Sequence, residues 1–326
     1  IFFVKMNRKF CIAPMMAKTD SQYRFLARQL SAKSVLFTEM IHTNAILYGN
    51  KNKLYEYTDI QKPLVLQLGG NDPEALSKVC FQVKEFSYDE INLNLGCPSP
   101  KVKSGNFGAA LMAQPELVRD CLMAMTESSN KPITVKIRLG INDGDIHDSL
   151  DKFVSTISEC KVKVFYVHAR KAILDKLSPK DNREIPPLNY ERVIKLKEDF
   201  QDLEIIANGG IKSIEKAKKD FAKLDGIMLG REAYSNPRIL QKIDSTFYDS
   251  DDMNKSLKEI TENMFNYFDT LSNKSEIKRG LIHMHGLYSG LKDARRIRIL
   301  LSNFNYFKKA KNEIISLLDN NYSKVA

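Results

Sequence analysis

Several common signals are missing from this chain of 326 residues. Its five cysteines are widely spaced and form no C-x-x-C pair, which argues against a zinc site and a disulfide framework and favours a reducing compartment. No apolar run approaches the ~20 residues that a membrane-spanning helix requires. No Pro/Gly-rich or low-complexity linker interrupts the chain. From these absences we predict a soluble, globular, cytoplasmic protein with no metal and no membrane segment.

The order of the segments that are present predicts an α/β fold. β-rich runs alternate with helix-like stretches, and the runs are Phe10–Pro14, Ser34–Glu39, Pro63–Leu68, Asp89–Leu95, Ile133–Arg138, Val162–His168, Leu203–Asn208 and Gly226–Leu229. This alternation favours a (β/α)₈ TIM barrel. The alternative, a doubly wound sheet, would require an early G-x-G-x-x-G turn, which the chain lacks.

The pattern changes after about residue 248. No further strands are predicted there, and residues 250–326 have the apolar spacing of four helices. We therefore divide the chain into a catalytic barrel domain, residues 1–248, and a small C-terminal helical domain, residues 249–326.

Residues 91–111 contain the most informative motif. An alternating apolar strand ends in Asn94-Leu95-Gly96-Cys97-Pro98. A thiol and an amide are thereby presented at the carboxyl end of a strand, where α/β barrels build their active sites. Cys97 is the candidate for the reacting side chain. The alternative is that it only packs in the core, as free cysteines usually do.

The other strand ends are polar as well. Asn208-Gly209-Gly210 and Gly230-Arg231 fit the phosphate site that barrels form after strands 7 and 8. An amide such as Gln67 can bind a pyrimidine-like edge, and a cation such as Lys136 stabilises negative charge on a flavin. We therefore predict bound FMN, with Pro14 to Met16 as an apolar wall and His168 at the phosphate or ribityl end or at the substrate. The predicted cofactor residues are Pro14, Met15, Met16, Gln67, Lys136, His168, Asn208, Gly209, Gly210, Gly230 and Arg231.

Positive charge is concentrated near the C-terminus. The net charge is +10, and ten Lys or Arg stand against two acids between Lys274 and Lys311. The aromatic residues Tyr288, Phe304, Tyr306 and Phe307 lie in the same segment, so bases would stack where cations hold phosphates. This segment predicts a nucleic-acid surface, and the alternative is a solvated helix face over core aromatics.

Short motifs along essentially the whole chain resemble the flavin-dependent tRNA-dihydrouridine synthases. They are Ala-Pro-Met-Met, Thr-Glu-Met, Leu-Gln-Leu-Gly-Gly, Asn-Leu-Asn-Leu-Gly-Cys-Pro-Ser, Val-Lys-Ile-Arg-Leu-Gly, Val-His-Ala-Arg-Lys, Asn-Gly-Gly-Ile-Lys and Gly-Arg-Glu-Ala-Tyr. Leu177–Leu188 and Gly286–Leu301 resemble the A subfamily, whose members reduce uridines 20 and 20a of the tRNA D-loop. One departure is Met16-Ala17-Lys18-Thr19-Asp20, where the family usually has Met-Asp-Trp-Thr-Asp.

The resemblance implies a reaction and its partners. Reduced FMN would give a hydride to C6 of uracil, Cys97 would give a proton to C5, and NADPH would supply the electrons. The substrate would be tRNA, and the residues that the resemblance and the charge pattern assign to it are Asn94, Arg170, Lys180, Arg183, Arg295 and Arg298. We expect a monomer. One alternative is an FMN barrel acting on a free pyrimidine such as dihydroorotate, and another is a catalytically silent RNA-binding barrel.

Overall fold

The computed structural model describes residues 6–49, 57–303 and 307–322. The chain divides into two compact units. The barrel unit comprises the described residues of Ile1–Met16 and Val35–Gly230, and the helical unit comprises those of Ala17–Ser34 and Arg231–Ala326. Residues 17–34 and 231–248 thus group with the C-terminal helices, whereas the domain boundary after residue 248 stays a prediction.

The barrel strands are numbered in chain order. They are β1 (Phe10–Ile12), β2 (Leu36–Phe37), β3 (Leu64–Gly69), β4 (Glu90–Leu95), β5 (Ile133–Arg138), β6 (Val164–His168), β7 (Glu204–Asn208) and β8 (Gly226–Leu229). Each overlaps a strand predicted from the sequence. A two-residue strand, Ile41–His42, also pairs with the end of β3.

All of these strands run parallel, and their order returns to its starting point. β1 pairs with β8, and the neighbours then follow in sequence from β8 back to β2. Val35, just before β2, bridges to Cys11 of β1, where its N–H donates to the Phe10 carbonyl at 3.0 Å. This contact closes the sheet, so the predicted (β/α)₈ barrel is confirmed.

The helices lie mainly between the strands and after β8. They are α1 (Ser21–Leu30), α2 (Thr43–Tyr48), α3 (Pro73–Val83), α4 (Pro100–Ser104), α5 (Pro115–Ser128), α6 (Asp148–Ser158), α7 (Tyr190–Asp199), α8 (Ile214–Asp220), α9 (Arg231–Ser235), α10 (Ile243–Tyr248), α11 (Leu257–Asp269), α12 (Lys274–His283), α13 (Ala294–Ser302) and α14 (Phe307–Tyr322). Short 3₁₀ helices cover Asp59–Gln61, Gly108–Ala113, Asp181–Arg183, Pro237–Lys242 and Met284–Tyr288. No helix of the described residues is long and apolar enough to span a membrane.

Local sequence explains the barrel helices. α3 begins at Pro73 after Asp72, whose side chain accepts from the Glu74 N–H, because Pro suits the first helical turn and Asp caps it. α5 buries Val118, Cys121, Leu122 and Met125, at the spacing of one helical face. The interior of the barrel is filled by an apolar cluster that includes Phe37, Tyr166 and Met228.

The helical unit has its own core. α11 begins with a capping box between Ser256 and Glu259 and buries an apolar face that includes Phe268. Gly280 of α12 lets the helices approach closely, because a Cβ there would lie 2.3 Å from the Phe268 ring. The buried carboxylate of Asp244 accepts from the Ser31 hydroxyl and from two backbone N–H groups, which ties the end of α1 to this unit.

The predicted base-stacking aromatics need a correction. Tyr288 is fully buried and hydrogen-bonds Thr261 at 2.7 Å, and the ring of Phe307 lies 5.2 Å from that of Phe265. These two rings belong to the core of the helical unit, so the alternative of core aromatics holds for them. Phe304 and Tyr306 lie outside the described residues.

Candidate active site

The loop after β4 holds Cys97 from two sides. The side-chain oxygen of Asn94 accepts from the backbone N–H of Gly96 at 3.1 Å and of Cys97 at 2.9 Å. On the other side, the Ala109 N–H donates to the Cys97 carbonyl at 3.0 Å. Gly108 allows this contact, because its φ is +65° and a Cβ there would lie 2.7 Å from the Cys97 oxygen. The thiol is therefore presented on a backbone that is fixed on both sides.

Cys97 differs from the other four cysteines in its surroundings. It is half-buried, whereas Cys11, Cys80, Cys121 and Cys160 are buried. Burial raises the pKa of the Cys80 and Cys121 thiols to about 12 and the pKa of Cys11 well above its ordinary value. Among the cysteines, Cys97 is the one that a substrate can approach.

A chain of side-chain hydrogen bonds, the amide relay, crosses the barrel interior to this loop. Asn94 donates to the Gln67 oxygen at 2.9 Å, and Gln67 donates to the Asn92 oxygen at 2.8 Å. Asn92 donates to the Thr134 hydroxyl at 2.9 Å, and Thr134 donates to the Glu90 carboxylate at 2.6 Å. All five relay side chains are buried.

Both ends of the relay fix its direction. Backbone N–H groups can only donate, so the Asn94 oxygen must face Gly96 and Cys97. The Glu90 carboxylate can only accept, so Thr134 must donate to it. Each amide between these ends then has one possible orientation. Gln67 and Asn94 each keep one N–H that is not used within the relay.

Glu90 anchors the relay as a buried charge that is fully paired. Its Oε2 accepts from the Arg8 guanidinium at 2.6 and 2.8 Å, and its Oε1 accepts from the Tyr166 hydroxyl at 3.0 Å in addition to Thr134. Burial and the nearby Glu90 raise the pKa of Tyr166, so its hydroxyl remains a donor. Arg8 also lies 3.2 Å from Glu204.

Lys136 brings a cation to the carboxyl end of β5. Its Nζ donates to the Asn208 oxygen at 3.1 Å, while the Asn208 nitrogen donates to the Met228 carbonyl at 2.8 Å. The pKa of Lys136 is lowered to about 7, mainly by burial and also by the positive charge of the neighbouring Arg138, while Cys97 has the opposite effect. Lys136 therefore interacts electrostatically with Cys97, and its protonation responds to any added negative charge.

The two glycines after β7 have backbone conformations that residues with a side chain rarely adopt. Gly209 has φ +107° and Gly210 has φ +69°. A Cβ on Gly209 would lie 3.0 Å from the His168 ring, and one on Gly210 would lie 2.4 Å from Leu188. The bare backbone of this turn therefore packs beside His168, which brings three of the predicted cofactor residues together.

Cations cluster around Arg138 at the end of β5. Arg138 Nε donates to the Gly96 carbonyl at 3.1 Å, so it braces the residue before Cys97. Burial lowers its pKa to about 10, and the positive charges of Arg183 and Arg170 contribute to that decrease. Arg138 was not among the predicted site residues, although the sequence shows it at the end of a predicted strand.

The loop at residues 171–188 is organised by Asn182, which is fully buried. Its side chain bonds to both backbone groups of Ile173, and its carbonyl accepts from Arg138 at 2.9 Å. In this loop Arg183 is half-buried and Lys180 is exposed. The predicted tRNA residues Arg170 and Arg183 therefore lie near the Cys97 loop, whereas Lys180 stands at the surface.

The remaining predicted site residues are packed less tightly or are exposed to solvent. A Cβ on Gly230 would make only ordinary contacts, at 3.6 Å from Ala13 and Met15, so the protein itself does not require glycine there. Pro14 is half-buried, and Met16 is 61% exposed. Arg231 is exposed at the start of α9, and Arg295 and Arg298 are exposed on α13. In the described part of the chain, no group of three or more His, Cys, Asp or Glu is arranged to hold a metal.

Sequence comparison identifies the family of this chain. The family model described as Dihydrouridine synthase (Dus) matches residues 11–321. A relative named tRNA-dihydrouridine(20/20a) synthase in Shewanella oneidensis is 44% identical over 313 residues, which cover 96% of this chain and 93% of the relative. Relatives of the same name are 44% identical over 303 residues in Escherichia coli (92% of this chain, 87% of the relative) and 43% identical over 302 residues in Pseudomonas aeruginosa (91% and 90%). This chain therefore belongs to the dihydrouridine synthase family.

Proposed function

We propose that this chain reduces uridine to 5,6-dihydrouridine in the tRNA D-loop at positions 20 and 20a, with FMN as its flavin and NADPH as electron donor. The names of the relatives support the tRNA substrate and the two positions. The observation that carries the reaction is the accessible thiol of Cys97, fixed at the carboxyl end of β4 by Asn94.

The residues at the barrel mouth fit FMN. The turn at Gly209 and Gly210 leaves backbone without side chains, as a phosphate group requires. The N–H of Gln67 that the relay leaves unused suits a carbonyl of the flavin ring, and the ammonium of Lys136 suits the side of that ring that becomes negative on reduction. FMN, when bound, supplies the two electrons that saturate the C5=C6 bond of uracil.

The protein supplies the proton and the orientation. Cys97 donates its thiol proton to C5 as a general acid. The second N–H of Asn94, which the relay leaves unused, can donate to a uracil carbonyl and hold the ring against the thiol. Because D-loop bases are stacked, the target uridine must leave its stack, which requires a few kcal/mol of binding energy. Arg170, Lys180 and Arg183 supply part of it through phosphate contacts.

The proposal extends to the setting of the enzyme. The tRNA substrate and the free cysteines support a cytoplasmic location, and we propose that the protein acts there as a monomer. NADPH docks transiently, because the chain contains no G-x-G-x-x-G motif of its own.

In vitro conversion of a tRNA transcript tests the function. Purified protein with NADPH should form dihydrouridine in an unmodified transcript, and transcripts with cytidine at position 20, at 20a or at both should locate the product. Free uridine monophosphate and dihydroorotate serve as comparison substrates. Turnover of these, with none on tRNA, would replace the proposal by the free-pyrimidine alternative, and protein without flavin absorbance would favour the silent RNA-binding barrel.

Replacing Lys136 separates stability from cofactor binding. The pKa of Lys136 is lowered to about 7 from 10.5, so the folded chain binds fewer protons than the unfolded chain between these values. The unfavourable contribution of this cation to the stability of the fold therefore has its full size below pH 7, and it disappears as the pH rises towards 10.5. We expect Lys136→Met to stabilise the flavin-free protein at pH 6.5 by about 1–2 kcal/mol, after allowance for water at the barrel mouth.

Urea unfolding at pH 6.5 and 9.5 measures this effect, and absorbance after desalting measures flavin retention. The gain should shrink at pH 9.5, and flavin retention should fall. A Met variant that is less stable than the parent at pH 6.5, or that retains all of its flavin, would contradict this account of Lys136.

A further inference from the structure

The helical unit contains a pocket that the chemistry at Cys97 does not use. It has a volume of about 240 Å³ and is lined by residues from four separate segments of that unit. Lys18 precedes α1, Tyr234 lies on α9, His283 and His285 lie at and just after the end of α12, and Arg298 lies on α13. The fold thus brings together side chains that are up to 280 positions apart.

One wall of the pocket is held rigidly. The Nε2 of the buried His283 bonds to Asp20 at 2.9 Å, and its Nδ1 bonds to the Tyr234 hydroxyl at 3.0 Å. Because the carboxylate can only accept, this network assigns the proton to Nε2, and Tyr234 donates to Nδ1. The other oxygen of Asp20 accepts from Arg279 at 3.2 Å. The charge of Asp20 is therefore already compensated.

Gly286 shapes the floor of the same pocket. A Cβ at this position would lie 2.7 Å from the Ser235 carbonyl and 2.9 Å from the Tyr234 carbonyl. The 3₁₀ turn that contains His285 can approach α9 this closely only with glycine there. The pocket is thus formed by packed backbone as well as by side chains.

The remaining groups give the pocket a positive potential. The Lys18 ammonium lies 3.5 Å from the centre of the Tyr234 ring, a cation–π contact that holds it over the aromatic face. Burial lowers the pKa of His285, and the positive charge of Arg298 lowers it further. Among the residues that line the pocket in the described part of the chain, none is Asp or Glu.

These features select the class of ligand. Lys18 and Arg298 carry hydrogen-bond donors and no acceptors, so the site favours an anion over a neutral group. The Lys18 ammonium occupies one face of the Tyr234 ring, so a base cannot stack on that face. A tetrahedral oxyanion with several acceptors matches Lys18, Arg298 and the Ser289 hydroxyl better than a planar base does.

We propose that this pocket binds one phosphodiester group of the tRNA, with Lys18 and Arg298 as its principal contacts. The proposal rests on the proposed function, which makes tRNA the polyanion that this protein meets. It adds Lys18, His285 and Ser289 to the tRNA surface and gives Arg298 a defined position on it.

Charge-removing variants of the full-length flavoprotein test the pocket. Lys18→Met and Arg298→Gln should each weaken binding of an unmodified tRNA transcript roughly tenfold, as expected for the loss of a charged hydrogen bond. If both residues hold the same phosphate, the double variant should lower the slope of log affinity against log salt by roughly 0.7–0.9 in total and not by twice that amount. Lys18→Arg keeps the charge and should restore most of the affinity.

Arg296→Gln is the matched control. Arg296 lies on the same helix as Arg298 and loses the same charge, but it pairs with Glu313 at 2.5 Å and does not line the pocket. We expect it to leave tRNA affinity within about twofold of the parent. Inorganic phosphate, added at constant ionic strength, should compete with tRNA for the parent and not for the Lys18→Met/Arg298→Gln variant.

Other results would overturn the proposal. Equal losses in Arg296→Gln and Arg298→Gln would show a diffuse charge effect without a site. A raised KM for NADPH with unchanged tRNA affinity would assign the pocket to the phosphate of the electron donor. Phosphate binding that does not compete with tRNA would make it a site for the free ion. Failure of the parent to form dihydrouridine would refute the proposed function instead, because binding and its salt slope are measured without turnover.

Discussion

Cys97→Ala should lower the rate of dihydrouridine formation by roughly 10²–10⁴-fold, the usual contribution of a general acid. The flavin should stay bound and should still be reduced by NADPH, because the thiol acts after that step. Asn94 accepts from the Cys97 backbone and not from its side chain, so the loop keeps its hydrogen bonds in the variant. Rapid mixing with NADPH, followed by addition of tRNA, separates the two half-reactions.

Cys121→Ala is the matched control for this experiment. Cys121 is fully buried in α5, so its loss removes a thiol without removing an accessible proton donor. We expect this variant to be less stable than the parent and to react at a normal rate. Near-normal turnover in Cys97→Ala would mean that another group protonates C5.

The sequence was sufficient to place Cys97, because its motif is local. An apolar alternation ending in Asn94-Leu95-Gly96-Cys97-Pro98 predicts a strand and a turn without reference to any other part of the chain. The carboxyl end of that strand then follows from the barrel rule. The strands and the four C-terminal helices were predicted for the same reason, since each depends on periodicity within a short window.

The amide relay was missed because it depends on the register between strands. Gln67 pairs with Asn92, and Asn92 pairs with Thr134, only in the observed alignment of β3, β4 and β5. A shift of one residue would send these side chains to the other face. The sequence did contain one signal of the relay, however. Glu90, Asn92 and Asn94 alternate with apolar residues, which places three polar side chains on one face of β4.

The pocket that Lys18 and Arg298 line in the helical unit could not be predicted for a related reason. Lys18 and Arg298 are far apart in the sequence, and the motif around Lys18 departs from the family pattern. Arg298 was predicted as a tRNA contact from its charge, its helical spacing and the family resemblance. Sequence spacing could not show that Lys18 and His285 line the same cavity, because that requires the packing of α9, α12 and α13.

Glu90→Gln should lower the free energy of unfolding by about 3 kcal/mol, towards the lower end of the range for breaking a buried ion pair. Arg8 is 5% exposed, and after the substitution its carboxylate partner among the described residues is Glu204, at 3.2 Å. The amide nitrogen of a glutamine would also face Arg8 or the hydroxyls of Thr134 and Tyr166, all of which now donate to the carboxylate. Urea unfolding measures the loss, and a variant within 0.5 kcal/mol of the parent, roughly the size of an ordinary surface substitution, would contradict it.

The double variant Arg8→Met/Glu90→Leu separates the two tasks of this carboxylate. Replacing a buried ion pair by apolar residues is often neutral or stabilising, so we expect its stability to return to within about 1 kcal/mol of the parent. Flavin occupancy and turnover should remain below those of the parent, because Thr134 would lack the acceptor that directs Asn92, Gln67 and Asn94 towards the Cys97 loop. Flavin occupancy and turnover equal to those of the parent would show that Glu90 serves only to neutralise Arg8 and that the relay does not position the site.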